Sequence, residues 1–190
     1  MLTLEPMPYA DLPQAYRSMK TEFPDNERKP LEMLQKQYNA GISDIWWLKE
    51  DGERKGYAIM LRAEGCKLAL LDYLAMLDKG QGYGSSCLEE LKKQYSDGIL
   101  VEAEAMEEGL DPEITRQRGR RLRFYRRSGF RPCKFAANVF GVDYQIHLWA
   151  GELPGCWETL AAREYYRIYQ AQLPKQWLEK HIYVEGQPEG

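Results

Sequence analysis

The chain is poor in the residues from which metal and redox centres are built. It holds four cysteines, Cys66, Cys87, Cys133 and Cys156, and two histidines, His147 and His181. The cysteines lie far apart with no C-x-x-C pair, which argues against a zinc site and leaves reduced, mostly buried thiols as the reading. No apolar run approaches the roughly 18 residues that a membrane span requires. The opening Met-Leu-Thr-Leu-Glu-Pro has neither a basic n-region nor an apolar h-region, so a cytoplasmic protein with no membrane contact is expected. An excess of positive charge is missing too. The formal net charge is −3, which supplies no general attraction to nucleic acid or anionic lipid and argues against nucleic acid as a partner. Internal repeats and low-complexity segments are absent.

What remains is an ordinary globular composition, 44% hydrophobic and 29% charged over 190 residues, enough for one domain with a terminal extension. Leu12, Ala15, Tyr16, Met19 and Phe23 recur at the spacing of one helical face. Pro30 sits at the first position of a second short helix with Leu31, Leu34 and Tyr38 inside, ended by Gly41. A three-strand meander follows, Asp44–Lys49, Gly56–Ala63 and Lys67–Met76, with turns at Glu50-Asp-Gly-Glu and Glu64-Gly65. After a glycine-dense turn comes a helix with Leu88, Leu91 and Tyr95 inside. Then come a strand at Ile99–Ala105, an acidic loop from Met106 to Ile114 and a helix from Arg116 to Ser128. Gly129 stops that helix, and a hairpin turns at Gly141-Val142 between Phe135–Phe140 and Tyr144–Trp149. Residues 156–180 read as one aromatic-rich helix.

The glycine turn carries the strongest functional signal. Lys79-Gly-Gln-Gly-Tyr-Gly84 joins a strand to a helix, and Gly80, Gly82 and Gly84 allow positive φ and close backbone approach. The helix that follows directs unpaired N–H groups and the positive end of its dipole into the turn, which suits a phosphate. A dinucleotide fingerprint, G-x-G-x-x-G, and a P-loop, G-x-x-x-x-G-K-[ST], are both excluded by spacing. A second segment, Arg123-Phe-Tyr-Arg-Arg-Ser-Gly-Phe130, lies about 40 residues further on.

The first run resembles the [RQ]-x-x-G-x-[GA] signature of the GNAT superfamily of acyl-CoA-dependent N-acyltransferases, with Lys79 where Arg or Gln is usual. The second is similar to the family's "FYxxxGF" segment. The resemblance spans roughly Ile42 to Trp149. It implies an α/β GNAT fold, in which a mixed, mostly antiparallel sheet with one β-α-β crossover is flanked by helices, its first strand in Leu2–Glu5. The domain is expected over residues 1–150, with a C-terminal helical extension, 151–190, packed on it. It also implies an N-acetyltransferase that moves an acetyl group from acetyl-CoA, the co-substrate, to a primary amine by direct attack in a ternary complex. The alternative is a non-catalytic module that binds CoA or touches RNA. By the same resemblance the pantetheine arm bonds main-chain groups near Leu74–Met76, with the Met76 N–H polarising the thioester oxygen. The pyrophosphate meets Lys79, Gly80, Gln81, Gly82, Tyr83, Gly84 and Ser85.

Tyr125 matches the family tyrosine that faces the coenzyme sulfur and protonates the leaving thiolate. A lysine-like acceptor, with a pKa of about 10.4, must lose a proton before it attacks, so a carboxylate should assist. Asp72, Glu102 and Glu104 are the candidates, the last two on one face of their strand; His147 is a weaker fourth. The acidic residues Glu102, Glu104, Glu107, Glu108, Asp111 and Glu113 favour a cationic small-molecule or peptide amine as acceptor. The seven arginines between Arg116 and Arg127 read as a solvated helix paired with that acidic segment, or as a source of phosphate contacts. A monomer or homodimer fits either account.

Overall fold

A computed structural model describes residues 1–106, 109–152 and 155–185 of the chain. These fall into two units, Met1–Glu64 with Leu71–Gln94, and Gly65–Leu70 with the described part of Tyr95–Gly190.

In the first unit the strands stand in the order β1 (Leu2–Pro6), β2 (Ser43–Glu50), β3 (Glu53–Leu61) and β4 (Ala69–Met76), and β3 buries a continuous run from Gly56 to Leu61. β1 runs antiparallel to β2, and β2 to β3. Asp51 and Gly52, both at positive φ, make the tight turn from β2 to β3 that an Asp-Gly pair favours. The register shifts near Leu48/Lys49 as a bulge, close to Gly56. Helices α1 (Leu12–Glu22) and α2 (Leu31–Asn39) cover this sheet. Leu12, Ala15, Met19 and Leu34 pack with Ile45, Trp47, Tyr57, Ile59, Tyr73 and Ala75 in one core. Pro30 stands one place earlier than the sequence implied, as the extended N-cap of α2 rather than its first turn. Helix α3 (Tyr83–Gln94) follows β4 and buries Cys87, Leu88 and Leu91; Tyr95, expected on its inner face, lies past its last residue and is half-buried.

The second unit is built on β5 (Ile99–Glu104), β7 (Val142–Trp149), β6 (Arg131–Val139) and β8 (Ile182–Val184), in that order and antiparallel. β4 is shared with this unit through its first residues and runs parallel to β5; the Ala69 N–H donates to the Gly98 carbonyl at 3.2 Å. The resulting succession of β4, α3 and β5 is the expected crossover.

Several elements of this unit differ from the sequence reading. Helix α4 (Pro112–Arg127) begins four residues before Arg116, because Asp111 is an N-cap whose carboxylate accepts the Glu113 and Ile114 N–H groups at 2.8 and 3.4 Å, with Pro112 behind it. The hairpin turns on Phe140-Gly141, one residue earlier than read, and both are at positive φ. Residues 156–180 form two helices, α5 (Trp157–Gln172) and α6 (Lys175–His181), because Pro174 forces Leu173 into an extended conformation. β8 follows α6 and was not anticipated.

α5 is tied down inside the second unit by Glu164, 2% exposed, whose Oε2 accepts the Lys67 and Leu68 N–H groups at 2.9 and 2.8 Å. All four cysteines are free thiols; Cys87 and Cys133 are buried, and burial pushes both up to about 12, while Cys66 is half-buried and Cys156 exposed. Among the described residues no helix is long and apolar enough to cross a membrane, and no group of three or more acidic, histidine or cysteine side chains has the arrangement of a metal site.

Candidate active site

In the first unit, β4 turns Tyr73 and Ala75 into the core and leaves Asp72, Leu74 and Met76 half-buried on its other face. Met76 lies across the backbone of β3: a Cβ added at Gly56 would stand 2.6 Å from the Ala75 carbonyl oxygen and 2.6 and 2.7 Å from Met76 Cε and Sδ. Glycine is therefore required at that position. Asp72 does not stand open. Its carboxylate bonds Lys29 Nζ at 2.6 Å, and the Lys29 N–H donates to the Tyr73 hydroxyl at 2.9 Å. Tyr73 in turn donates to the Glu27 carbonyl at 2.9 Å, so residues 27–29 are stitched to β4 by three bonds.

Beyond Met76 the chain enters the glycine turn. Gly80 and Gly82 have φ of +81 and +79, and a Cβ on either would meet nothing within 4 Å. The backbone there is held open. Gly84 does not share this conformation: it is the second residue of α3, and the requirement for positive φ falls on Gly80 and Gly82 alone. The Ser85 and Ser86 N–H groups close the first turn on the Gly82 carbonyl at 3.1 and 3.2 Å, with both serines in that turn as expected. The helix-start amides not used in this closure are those ahead of Ser85, beside the open glycines. Gln81 is exposed within the same turn. Lys79 leans away to pair with Glu22 at 2.9 Å, and Tyr83 donates to Glu50 at 2.7 Å, which with burial and the nearby charge raises its phenol above the ordinary value.

In the second unit, Glu102 and Glu104 share a face of β5, opposite Ile146 and Tyr144 of β7. Glu104 is held by Arg121 and lies 3.8 Å from Arg118 Nε, while Arg118 Nη1 also donates to the Ala105 carbonyl at 2.5 Å. Glu102 Oε1 accepts two phenols, Tyr165 and Tyr169, each at 2.6 Å. Neither tyrosine was a candidate from sequence. Tyr125 is the buried residue of α4, and burial chiefly raises its phenol; Arg121 lowers it, and Glu102 and Glu104 raise it further. The structure thus brings Tyr125, Glu102 and Glu104 into one electrostatic neighbourhood.

His147 sits opposite Val101, hence on the other face of the sheet from Glu102. It is fully buried, its Nε2 has no hydrogen-bond partner among the described residues, and burial lowers its pKa. Of the acidic run, Asp111 caps α4 and Glu113 pairs with Arg116 and Arg120, while Glu107 and Glu108 lie outside the described residues. Four of the seven arginines are accounted for in these ion pairs.

No family model matches the sequence, and no curated protein matches it. Solved structures do. A putative GNAT acetyltransferase from Bacteroides thetaiotaomicron superposes with a TM-score of 0.64 at 18% identity, covering 90% of this chain and 99% of its own. NAA60 from Arabidopsis thaliana, crystallised with a bisubstrate analogue, gives 0.57 at 16% identity over 78% of this chain and 97% of its own. The chain has the GNAT fold. AAC(6')-Ib in complex with parmomycin and acetyl-CoA matches it too, with a TM-score of 0.57 at 16% identity over 78% of this chain and 93% of its own. At these identities the likeness establishes architecture alone.

Proposed function

We propose that the protein is an N-acetyltransferase that moves an acetyl group from acetyl-CoA to a primary amine in a ternary complex. The observation that carries this reading is the β4–α3 turn, where Gly80 and Gly82 hold an uncrowded backbone at positive φ ahead of a helix start, as a pyrophosphate needs. A GNAT-fold protein with acetyl-CoA bound, AAC(6')-Ib, supports the choice of coenzyme. Lys79 to Ser85 take the pyrophosphate, chiefly through main-chain N–H groups. Leu74 and Met76 offer main-chain groups to the pantetheine arm, the Met76 N–H meeting the thioester oxygen as it gains charge.

The amine nitrogen attacks the thioester carbon and gives up a proton to a carboxylate or an ordered water, the carbon–sulfur bond breaks, and the Tyr125 phenol gives its proton to the departing thiolate. An alkyl thiol has a pKa of about 8.5 and an unperturbed phenol about 10, so hydrogen bonding during departure contributes more than complete transfer. Of the three candidate carboxylates, Asp72 is bound to Lys29 and Glu104 to Arg121. Glu102, whose Oε1 accepts the Tyr165 and Tyr169 hydroxyls, stands with them as a candidate to assist the acceptor amine. The test is a panel of amines assayed for acetyl-CoA-dependent thiol release, with binding followed by thermal shift. Binding without release from any amine would leave a CoA-binding module. Binding of RNA that weakens steeply with salt would favour the arginines of α4 as the functional surface.

A further inference from the structure

The net charge of −3 conceals an uneven distribution. From Asp111 to Arg131 the chain carries eight arginines, no lysine and two carboxylates, whereas elsewhere lysines outnumber arginines by twelve to six. At about 100° per residue, Arg116, Arg120, Arg123 and Arg127 fall within a sector of roughly 60° on α4, opposite the side that buries Tyr125, and they extend over roughly 16 Å of its axis. Arg131 opens β6 just beyond. The fold uses some of these charges. Arg118 and Arg121 reach Glu104, and Arg116 and Arg120 share Glu113. The side chains of Arg123, Arg126, Arg127 and Arg131 are exposed, and among the described residues none of the four makes a hydrogen bond or an ion pair.

Packing does not account for that surface. Arginines three and four residues apart repel one another, and lysines would keep the helix soluble equally well. What arginine adds is a planar fork that meets phosphate or carboxylate through two parallel N–H groups. A protein partner would need apolar anchors among the charges, and of the large apolar side chains exposed in the described residues only Ile114 belongs to α4, ahead of the stripe. A nucleic-acid backbone needs none. Beside Arg131, in the same unit, half-buried Trp149 lines a cavity of about 270 Å³ together with Gly129, Arg131, Leu148, Ala150 and Gly151. A line of cations next to an aromatic ring is the combination with which proteins hold single strands, phosphates on the charges and a base on the ring. We propose that the outer face of α4, continued by Arg131, binds single-stranded nucleic acid, with phosphates on Arg123, Arg126, Arg127 and Arg131 and a base against Trp149. The surface does not include the glycine turn and does not depend on the acetyltransferase reading.

The experiment is fluorescence anisotropy with labelled oligo(U) and oligo(dT) of about 12 nucleotides, and with a labelled glutamate peptide, over a range of salt. Four neutralised phosphates on a single strand give a slope of log K against log salt near −2.8, a loss of about fiftyfold between 50 and 200 mM. Arg123→Gln combined with Arg127→Gln should halve that slope with little change in Tm, since both side chains are exposed and unpaired among the described residues. Trp149→Leu should weaken binding about tenfold at every salt concentration and leave the slope alone. The arginine pair carries the test if that variant does not fold. Equal affinity for the two oligonucleotides supports recognition of backbone and base, and a preference for oligo(U) supports it with a contact to the 2′-hydroxyl added. Absence of binding at 50 mM salt, a slope unmoved by the arginine pair, tighter binding of the glutamate peptide, or displacement of the oligonucleotide by acetyl-CoA overturns the proposal. An affinity unmoved in folded Trp149→Leu overturns the base contact.

Discussion

Gly82→Ala separates a phosphate cradle from a turn that merely happens to contain glycine. The residue has φ of +79 and its added Cβ would meet no protein atom within 4 Å, so the substitution creates no clash. The left-handed backbone penalises an alanine by about 1–2 kcal/mol, partly offset by the stiffer unfolded chain, for a net loss of roughly 1 kcal/mol. In a protein of this size that lowers Tm by about 2–4 °C. Gly41→Ala is the matched control, since Gly41 has φ of +68 and the same open surroundings at the end of α2. Its intrinsic loss should be similar. The two diverge with ligand. At 100 times the wild-type Kd, acetyl-CoA adds about 2.7 kcal/mol to the stability, or a Tm rise of roughly 5–11 °C. Gly41→Ala should keep that rise. A methyl group standing where the pyrophosphate lies should weaken binding about a hundredfold, leaving near 0.4 kcal/mol and a rise of only about 1–2 °C. The assay is a thermal melt with and without the coenzyme. Equal rises in both variants, or no rise in the wild type at millimolar acetyl-CoA, would refute the assignment of this turn to the phosphates.

Two further outcomes follow from buried groups. Glu164→Ala removes a carboxylate that satisfies two backbone N–H groups, at 2.9 and 2.8 Å, and should lower stability by about 3 kcal/mol; Glu164→Gln, which keeps an acceptor, should lose less, as urea melts would report. Because burial lowers the folded pKa of His147 beneath the unfolded value of about 6.5, its stabilising effect is complete above that value and is lost as pH falls toward the folded one. Tm should therefore drop between pH 7 and pH 5, and His147→Gln should flatten part of that slope; an unchanged slope would mean that folding does not shift the His147 pKa.

The parts of the molecule that could be read from sequence are those whose cause is local. The Asp-Gly turn at Asp51-Gly52 and the stop at Gly129 are written in residue type, and the structure has both. The α4 start also has a local cause, the N-terminal signal Asp111-Pro112-Glu113, but it stands inside a stretch whose acidity reads as loop. Phe140 could not be read. A phenylalanine at φ of +50 runs against type, and it is held there by an N–H bond to the His181 carbonyl at 2.9 Å and by stacking on the His181 ring, contacts made across 41 residues. The site divides in the same way. The glycine turn is contiguous and was legible. The engagement of Asp72 by Lys29, and of Glu102 by phenols 63 and 67 residues away, depends on where a loop and a helix dock, which no spacing in the chain records.

The segment around Tyr125 shows why a motif can establish a fold before it establishes an activity. The Phe130 N–H donates to the Tyr125 carbonyl at 3.1 Å and the Gly129 N–H to the Arg126 carbonyl at 3.0 Å, which is the Schellman arrangement, with Gly129 at φ of +81. Its usual apolar contact is made by the rings of Tyr125 and Phe130, with centroids 5.6 Å apart. The five-residue interval from Tyr125 to Phe130 is thus fixed by the way the helix ends, whatever chemistry the protein performs. Packing needs the ring and not the hydroxyl. Tyr125→Phe consequently isolates the chemical component: Tm should move by less than about 2 °C and acetyl-CoA affinity by no more than a few fold, while kcat falls about 100-fold. A thioester with a more acidic leaving thiol should recover part of that loss, because a thiolate of lower pKa needs less help from a proton donor. A Tm several degrees lower, with weakened coenzyme binding and no rescue, would make Tyr125 a packing residue whose hydroxyl serves a buried partner. Unchanged turnover would remove it from the reaction.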